Sequence, residues 1–508
     1  MSLLRAAATV GGLTLVSRVL GFLRDLLFAA ALGAGPVADA FFVAFKLPNF
    51  FRRLFAEGAF SAAFVPLYNE LSARQGQAAA RAFAEQALAL LLTAVLGLVV
   101  VMQAAMPWVM HLLAPGFVGD ESRFALAVRF SIVTFPYLVF ISLVALMAGV
   151  LNALGRFAAP AATPILLNLG LIAAALWPAG DAAGRGLAQS WGLLLAGMAQ
   201  FLYLAWTCGK AGVTLSLPRP RLSPKTVEML KLMLPAAIGA GAAQINLVVD
   251  LILGSLLPAG SISYLFYADR LNQLPLGVIG VAVGTALLPL LSRQIAAGER
   301  EAALASQNRA IELVLLLTLP AAIGLVMLAE PIVAVLFERG AFGPLETART
   351  AGALALYSLG LPAYVLIKAL TPGFYARKDT GTPLAIALFC IGLNILLSLV
   401  LMDSMLHFGL ALATALSAVV NAAALAVVLI RRGDLQLDQR LWRGLRGMAV
   451  AGAAMGLVLW GLLQLIPGDS VGGLALLLMA GAVVYVGGTH FTRAADWSRP
   501  ASLLGREH

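Results

Sequence analysis

A chain of 508 residues that is 61% hydrophobic and only 11% charged, with a mean hydropathy of +0.94, lies far outside soluble composition and reads as an all-α polytopic membrane protein. That excludes a soluble enzyme and a soluble nucleic-acid binder, so the net charge of +10 belongs to loops under the positive-inside rule and not to a nucleic-acid surface. Cys208 and Cys390 stand in separate apolar runs; they form no metal-ligand spacing and read as small buried thiols.

Apolar stretches long enough to cross a bilayer recur fourteen times. The first, 8–32, follows Arg5 in the manner of a signal sequence, but Arg18, Arg24 and Asp25 interrupt it, which predicts a helix retained in the mature protein. The second, 37–66, contains Asp39, Lys46, Arg52, Arg53 and Glu57, with Pro48 expected to kink it by pressing on the Ala44 carbonyl. Stretches 84–110, 124–150, 159–178 and 186–208 follow, then 230–257, 262–291, 307–329, 348–374, 383–402 and 408–430, and finally 444–466 and 471–491.

An even count of spans puts both termini on one side. Loops on that side hold 22 Lys and Arg residues, against Arg123, Arg129, Arg185, Arg339 and Arg349 on the other, which predicts cytoplasmic termini. The remaining seven cations, Arg18, Arg24, Lys46, Arg52, Arg53, Arg270 and Lys368, fall inside spans.

The chain also repeats itself at an offset of 223 to 226 residues. Pro107 and Gly116 recur as Pro331 and Gly340, Pro136, Gly155 and Asn168 as Pro362, Gly381 and Asn394, and Gly186-Leu187-Ala188 as Gly409-Leu410-Ala411. The unit is six helices, an even number, so the two copies have the same membrane orientation, as in transporters built from parallel repeats. The expected organisation is an N-terminal lobe at 1–222, a C-terminal lobe at 223–432, and an appended helix pair with a cytoplasmic tail at 433–508.

Ionisable residues inside spans are the functional signal. Each charge facing lipid costs roughly 2.5 to 3.5 kcal/mol on insertion scales, so the eight between Ser17 and Gly58 must face one another or water. Asp39, Lys46, Arg53 and Glu57 fall within about 40° on a helical projection, forming one polar stripe. Salt bridges such as Arg24 with Asp39 or Arg53 with Glu57 are one account of these charges. They leave five cations against three acids, and the surplus calls for an anionic ligand. The planar guanidinium fork suits phosphate oxygens, which points to a phosphate or diphosphate. In the second lobe, Asp269 and Arg270 stand at the corresponding depth. No phosphate-binding loop is present and the four histidines are scattered, so no organic cofactor is expected.

The runs Ser17-Arg18-Val19-Leu20-Gly21-Phe22-Leu23-Arg24-Asp25, Ala38-Asp39-Ala40-Phe41 and Pro48-Asn49-Phe50-Phe51-Arg52-Arg53-Leu54-Phe55-Ala56-Glu57-Gly58-Ala59 resemble the MurJ (MviN) lipid II flippases of the multidrug/oligosaccharidyl-lipid/polysaccharide exporter superfamily. The resemblance implies a multi-pass bacterial inner-membrane protein that moves undecaprenyl-diphosphate-linked disaccharide-pentapeptide outward by alternating access for peptidoglycan synthesis, acting as a monomer among membrane lipids. It implies substrate-cavity roles for Arg18, Arg24, Asp39, Arg52 and Arg270, joined here by Arg53 from the stripe, and gating roles for Gly21, Asp25 and Glu57. It further implies a sodium site at Asp250, Asn394 and Thr414, although Ser398 stands where an acid is expected; interhelical hydrogen bonding is the competing reading of Asn394. The other classes considered are a cation-coupled multidrug exporter, an exporter of another polyprenyl-linked saccharide, and an embedded enzyme. The first needs cavity acids where the chain has surplus Arg and Lys, and the last needs a cluster of catalytic groups that the sequence lacks.

Overall fold

The computed structural model describes residues 3–53 and 60–495, so Glu57 lies outside the described residues. Among the described residues the regular structure is helical, apart from one bridge between Arg339 and Phe342. The first half runs α1 (Leu3–Leu32), α2 (Pro36–Phe51), α3 (Ser61–Gln75), α4 (Gln77–Ala104), α5 (Met106–Leu113), α6 (Glu121–Thr134), α7 (Tyr137–Ala153), α8 (Ala158–Ala175) and α9 (Ala182–Lys210). The second runs α10 (Pro224–Ser255), α11 (Ser261–Ala296), α12 (Arg300–Met327), α13 (Ala329–Phe337), α14 (Pro344–Leu359), α15 (Leu361–Tyr375), α16 (Gly381–Met405), α17 (His407–Arg431), α18 (Gln439–Leu463) and α19 (Val471–Phe491).

Side-chain caps set many of these starts. Asp120, Asp181, Ser223, Asp438 and Ser470 each accept a backbone N–H three residues on. The internal repeat is visible in the helices. The 28-residue α4 and α12 are each followed by a short helix of 8 or 9 residues opened near Pro107 or Pro331, and the next span is broken at Pro136 in one copy and beside Pro362 in the other.

Among the described residues, eleven segments are long and apolar enough to cross a membrane, and they coincide with eleven of the fourteen predicted stretches. Of the other three, 8–32 lies in the continuous 30-residue α1, whose apolar run is interrupted by charge, and 230–257 lies in the 32-residue α10. Stretch 37–66 is not one described helix: α2 ends at Phe51 and α3 begins at Ser61.

The chain packs as two compact units, Met1–Ser263 with Arg339–Phe342, and Tyr264–Glu338 with Gly343–His508. The packing boundary therefore falls one helix later than the boundary drawn from the repeat, because α10 lies against α3, α4 and α5. In the first unit, Phe60, Phe64 and Phe83 stack at 5.1 and 5.5 Å between ring centres in a core that also holds Tyr68 and Leu146. Pro48 has no N–H for the Ala44 carbonyl, and Thr134 Oγ1 of α6 donates to it instead at 3.0 Å. The end of α1 is closed by residues 339–342. Ala341 N donates to Ala30 O at 2.9 Å, and at Gly33, with φ +64°, any Cβ would collide with the Ala341 carbonyl oxygen.

In the second unit, Leu287, Leu291, Val314, Leu361 and Val365 join α11, α12 and α15. The 432–438 segment is tied down by ion pairs of Arg432 with Asp379 (2.6 Å) and Arg377 with Asp434 (2.9 Å). The α18–α19 pair packs on α12 and exposes Leu457, Trp460 and Val483, as lipid-facing helices do.

Two predictions follow from this packing. Gly33→Ala forces a left-handed backbone that costs a non-glycine residue about 1 kcal/mol or more before the clash is counted, so the purified variant should melt a few degrees below wild type. In the loop between α15 and α16, the Arg432 guanidinium and the Thr382 amide hold the Asp379 carboxyl well below the usual carboxylate range. A depressed carboxylate stabilises above its ordinary pKa and loses that contribution as pH falls. Asp379→Asn should therefore melt lower than wild type at neutral pH, and the gap should narrow on acidification below about pH 4.

Candidate functional site

The charges of the first unit sort into two assemblies. On α1, Arg24 and Asp25 are 7% and 3% exposed. Arg24 donates from Nε (3.0 Å) and Nη2 (2.7 Å) to Asp25 Oδ1, and from Nη1 (2.9 Å) to Asn168 Oδ1 of α8. Asn168 Nδ2 returns to α1 by donating to the Ser17 carbonyl at 2.8 Å, so one amide ties the helix at two places a turn or more apart. Gly21 faces the same amide, with Asn168 Nδ2 3.5 Å from where its Cβ would stand. The rings of Phe28 and Phe45 lie 5.5 and 6.0 Å from the Arg24 guanidinium carbon and close the apolar side. Arg18 is exposed and has no ion-pair partner among the described residues.

The second assembly centres on Asp39 near the start of α2, which is wholly buried. Its Oδ2 accepts from Arg123 Nη2 at 2.6 Å and from Gly260 N at 2.7 Å, while Oδ1 accepts from Ser263 N at 2.8 Å and Ser263 Oγ at 2.6 Å. The carboxylate thus has four donors, one of them a guanidinium that also lies 3.8 Å from the Phe117 ring. The sequence reading grouped Asp39 with the ligand-binding arginines and allowed an Arg24–Asp39 pair; instead Arg24 takes Asp25, and Asp39 takes Arg123 with the 260–263 backbone. Arg123, counted from sequence among the outer loop cations, is 4% exposed. Only its place one turn after the capping Asp120 hinted at a fixed position.

Farther along α2, Asn49 donates to the Phe45 carbonyl at 2.7 Å and accepts from Arg52 Nε at 3.1 Å. Arg52 and Arg53 sit where the helix widens into a π-turn. Glu57, assigned to gating, is outside the described residues.

In the second unit, Arg270 lies 4.7 Å over the Phe266 ring and Asp269 accepts from Gln273 Nε2. Asn394 donates to Thr414 Oγ1 at 3.3 Å, and the Ser398 hydroxyl one turn later is buried without a hydrogen-bond partner. These are neutral oxygens, compatible with a hard cation but also with helix–helix hydrogen bonding. Asp250, the remaining member of the expected sodium set, is on α10 of the first unit.

The chain was compared with known proteins. The profile of the family described as lipid II flippase MurJ matches residues 28–481. The probable lipid II flippase MurJ of Rhizobium meliloti (strain 1021) is 47% identical over 465 residues, covering 91% of this chain and 86% of the relative. That of Vibrio cholerae serotype O1 is 39% identical over 471 residues, covering 90% and 89%. A solved lipid II flippase MurJ in an inward closed conformation superposes with a TM-score of 0.78 at 27% identity, covering 95% of this chain and 98% of that one. An inward-facing multidrug resistance transporter of the MATE family gives a TM-score of 0.67 at 16% identity over 82% and 94%, a likeness of fold.

Removing the Asp39 carboxylate leaves the Arg123 guanidinium buried without a counter-charge. Asp39→Ala should therefore destabilise the purified protein by about 3–5 kcal/mol in thermal melting, the range for a broken buried pair, with Asp39→Asn falling between it and wild type.

Proposed function

The chain belongs to the lipid II flippase MurJ family, and we infer from that membership and from the cations of α1 and α2 that it carries lipid II across the membrane by alternating access. The observation that carries the inference is the state of the two described acids there. Asp25 is engaged by Arg24 and Asp39 by Arg123 and two backbone amides, so neither is offered to a cationic drug, whereas Arg18 has no ion-pair partner among the described residues. A site with that balance attracts an anion.

Arg24 uses three of its five N–H groups on Asp25 and Asn168. One N–H on each terminal nitrogen is left, the spacing that meets two oxygens of a phosphate. In this reading Arg18, Arg24, Arg52 and Arg53 of the first unit bind the diphosphate, and Arg270 keeps the substrate role that the family resemblance implies for it. Asp25 and Gly21 set the position of Arg24, and Glu57 shares in gating. The polyprenyl tail stays in lipid. The protein acts as a monomer in the inner membrane with both termini cytoplasmic, as the loop charges indicate, and performs no covalent chemistry. An inside-negative potential favours outward movement of the anion by roughly 2.3 kcal/mol per charge per 100 mV. Asn394 is assigned to joining α16 with α17 through Thr414, so the reading does not depend on a sodium ion at Asp250, Asn394 and Thr414.

The test is complementation of cells depleted of their own MurJ. Wild type restores growth, and Arg24→Ala at equal protein level should not. Normal growth of that variant would remove Arg24 from the site.

A further inference from the structure

The second unit carries an open cleft of about 300 Å3 that the charges of the first unit do not account for. One wall is a face of α11, where Asp269 is followed one helical turn on by Asn272 and Gln273. The opposite wall is formed by Tyr364 and Lys368 of α15, with Thr414 of α17 beside them. The apolar contacts of Leu287 and Leu291 with Leu361 and Val365 hold α11 to α15. The Lys368 stem lies against Gly280, where an added Cβ would stand 2.7 Å from Lys368 Cδ.

Two groups on these walls are open to a partner. Lys368 belongs to a segment apolar enough to cross a membrane, and among the described residues its ammonium has no ion pair or hydrogen bond. Asn272 is 3% exposed, and its Oδ1 has no donor. Lys368 is exposed at the cleft, so its ammonium faces water there and is open to an anionic occupant, whereas a buried amide oxygen requires an N–H or O–H. Asp269 is not a full counter-charge for the lysine, since it already takes the Gln273 amide.

An occupant suited to both groups therefore brings an anionic oxygen together with hydrogen-bond donors. Phosphate esters bring the first without the second, and neutral sugars the second without the first. A peptide ending in a carboxylate brings both. Lysine suits it as a compact point charge, where the arginine forks of α1 suit phosphate. We propose that this cleft is a subsite for the carboxylate-bearing peptide of the transported headgroup, with Lys368 taking the carboxylate and Asn272 and Gln273 pairing with peptide groups. The proposal rests on lipid II being the substrate.

The experiment is native mass spectrometry of the purified full-length protein with three probes: lipid II, lipid II whose peptide carboxylates are converted to amides, and undecaprenyl diphosphate. Wild type should bind lipid II about tenfold more tightly than the amidated form, the ratio that one hydrogen bond to a charged group supports. Lys368→Met should bind both at the amidated level and Lys368→Arg should recover part of the preference, while undecaprenyl diphosphate binds all three proteins alike. Equal binding of lipid II and its amide by wild type overturns the subsite and needs no variant. A loss on undecaprenyl diphosphate in Lys368→Met as large as on lipid II also overturns it, by assigning the lysine to phosphate. Absence of lipid II binding by wild type instead sinks the transport reading on which the proposal stands.

Discussion

A charge held in hydrocarbon must find its counter-charge or water inside the protein, and the first unit is organised around that requirement. Asp39 illustrates the consequence. Four donors converge on one carboxylate, and together they fix the start of α2, the first turns of α6 and the 260–263 segment relative to one another. Desolvation makes such a pair a poor source of net stability but an expensive one to break. Its value is in specifying a single arrangement of three segments that apolar packing alone would leave free to slide.

The same constraint governs the backbone. Helices here are interrupted at prolines, and in a bilayer every freed carbonyl requires another donor. Thr134 of α6 supplies one to Ala44, and Thr163 Oγ1 supplies one at 2.8 Å to the Pro160 carbonyl that Pro164 leaves without an N–H. The first donor comes from a neighbouring helix, so the interruption of α2 also binds it to α6, while α8 serves its own carbonyl.

Periodic and compositional features were legible from sequence, because they depend on residues close together in the chain. Apolar runs gave eleven segments that coincide with the helices, and the proline pairs at 107 and 331 and at 136 and 362 marked the repeat. Side-chain partnerships were not legible. Asp39 meets Arg123 across 84 residues and Arg24 meets Asn168 across 144, and beyond its place one turn after Asp120 nothing local distinguishes Arg123 from a loop cation. The helical projection of 37–66 joined Asp39, Lys46, Arg53 and Glu57 in one stripe because it assumed uniform geometry. The helix widens into a π-turn at Arg52 and Arg53, which adds about one residue to a turn and turns Arg53 away from the uniform projection. The packing boundary lies one helix after the repeat boundary for a related reason: the repeat records sequence kinship, whereas α10 packs against α3, α4 and α5.

The pairing of Arg24 with its own neighbour also bears on how a carrier avoids trapping its cargo. An arginine buried alone would bind a phosphate in low dielectric so strongly that release would limit turnover. With Asp25 and Asn168 occupying three N–H groups, the guanidinium approaches an anion as half of a neutral pair. Its geometry is set in advance and its attraction is moderated. In the proposed reading, binding relies on several cations acting together, of which Arg24 and Arg52 are partly compensated. Arginines of which some are tied to an acid or an amide, as Arg24 and Arg52 are, suit a carrier's two requirements of capture on one side of the membrane and release on the other.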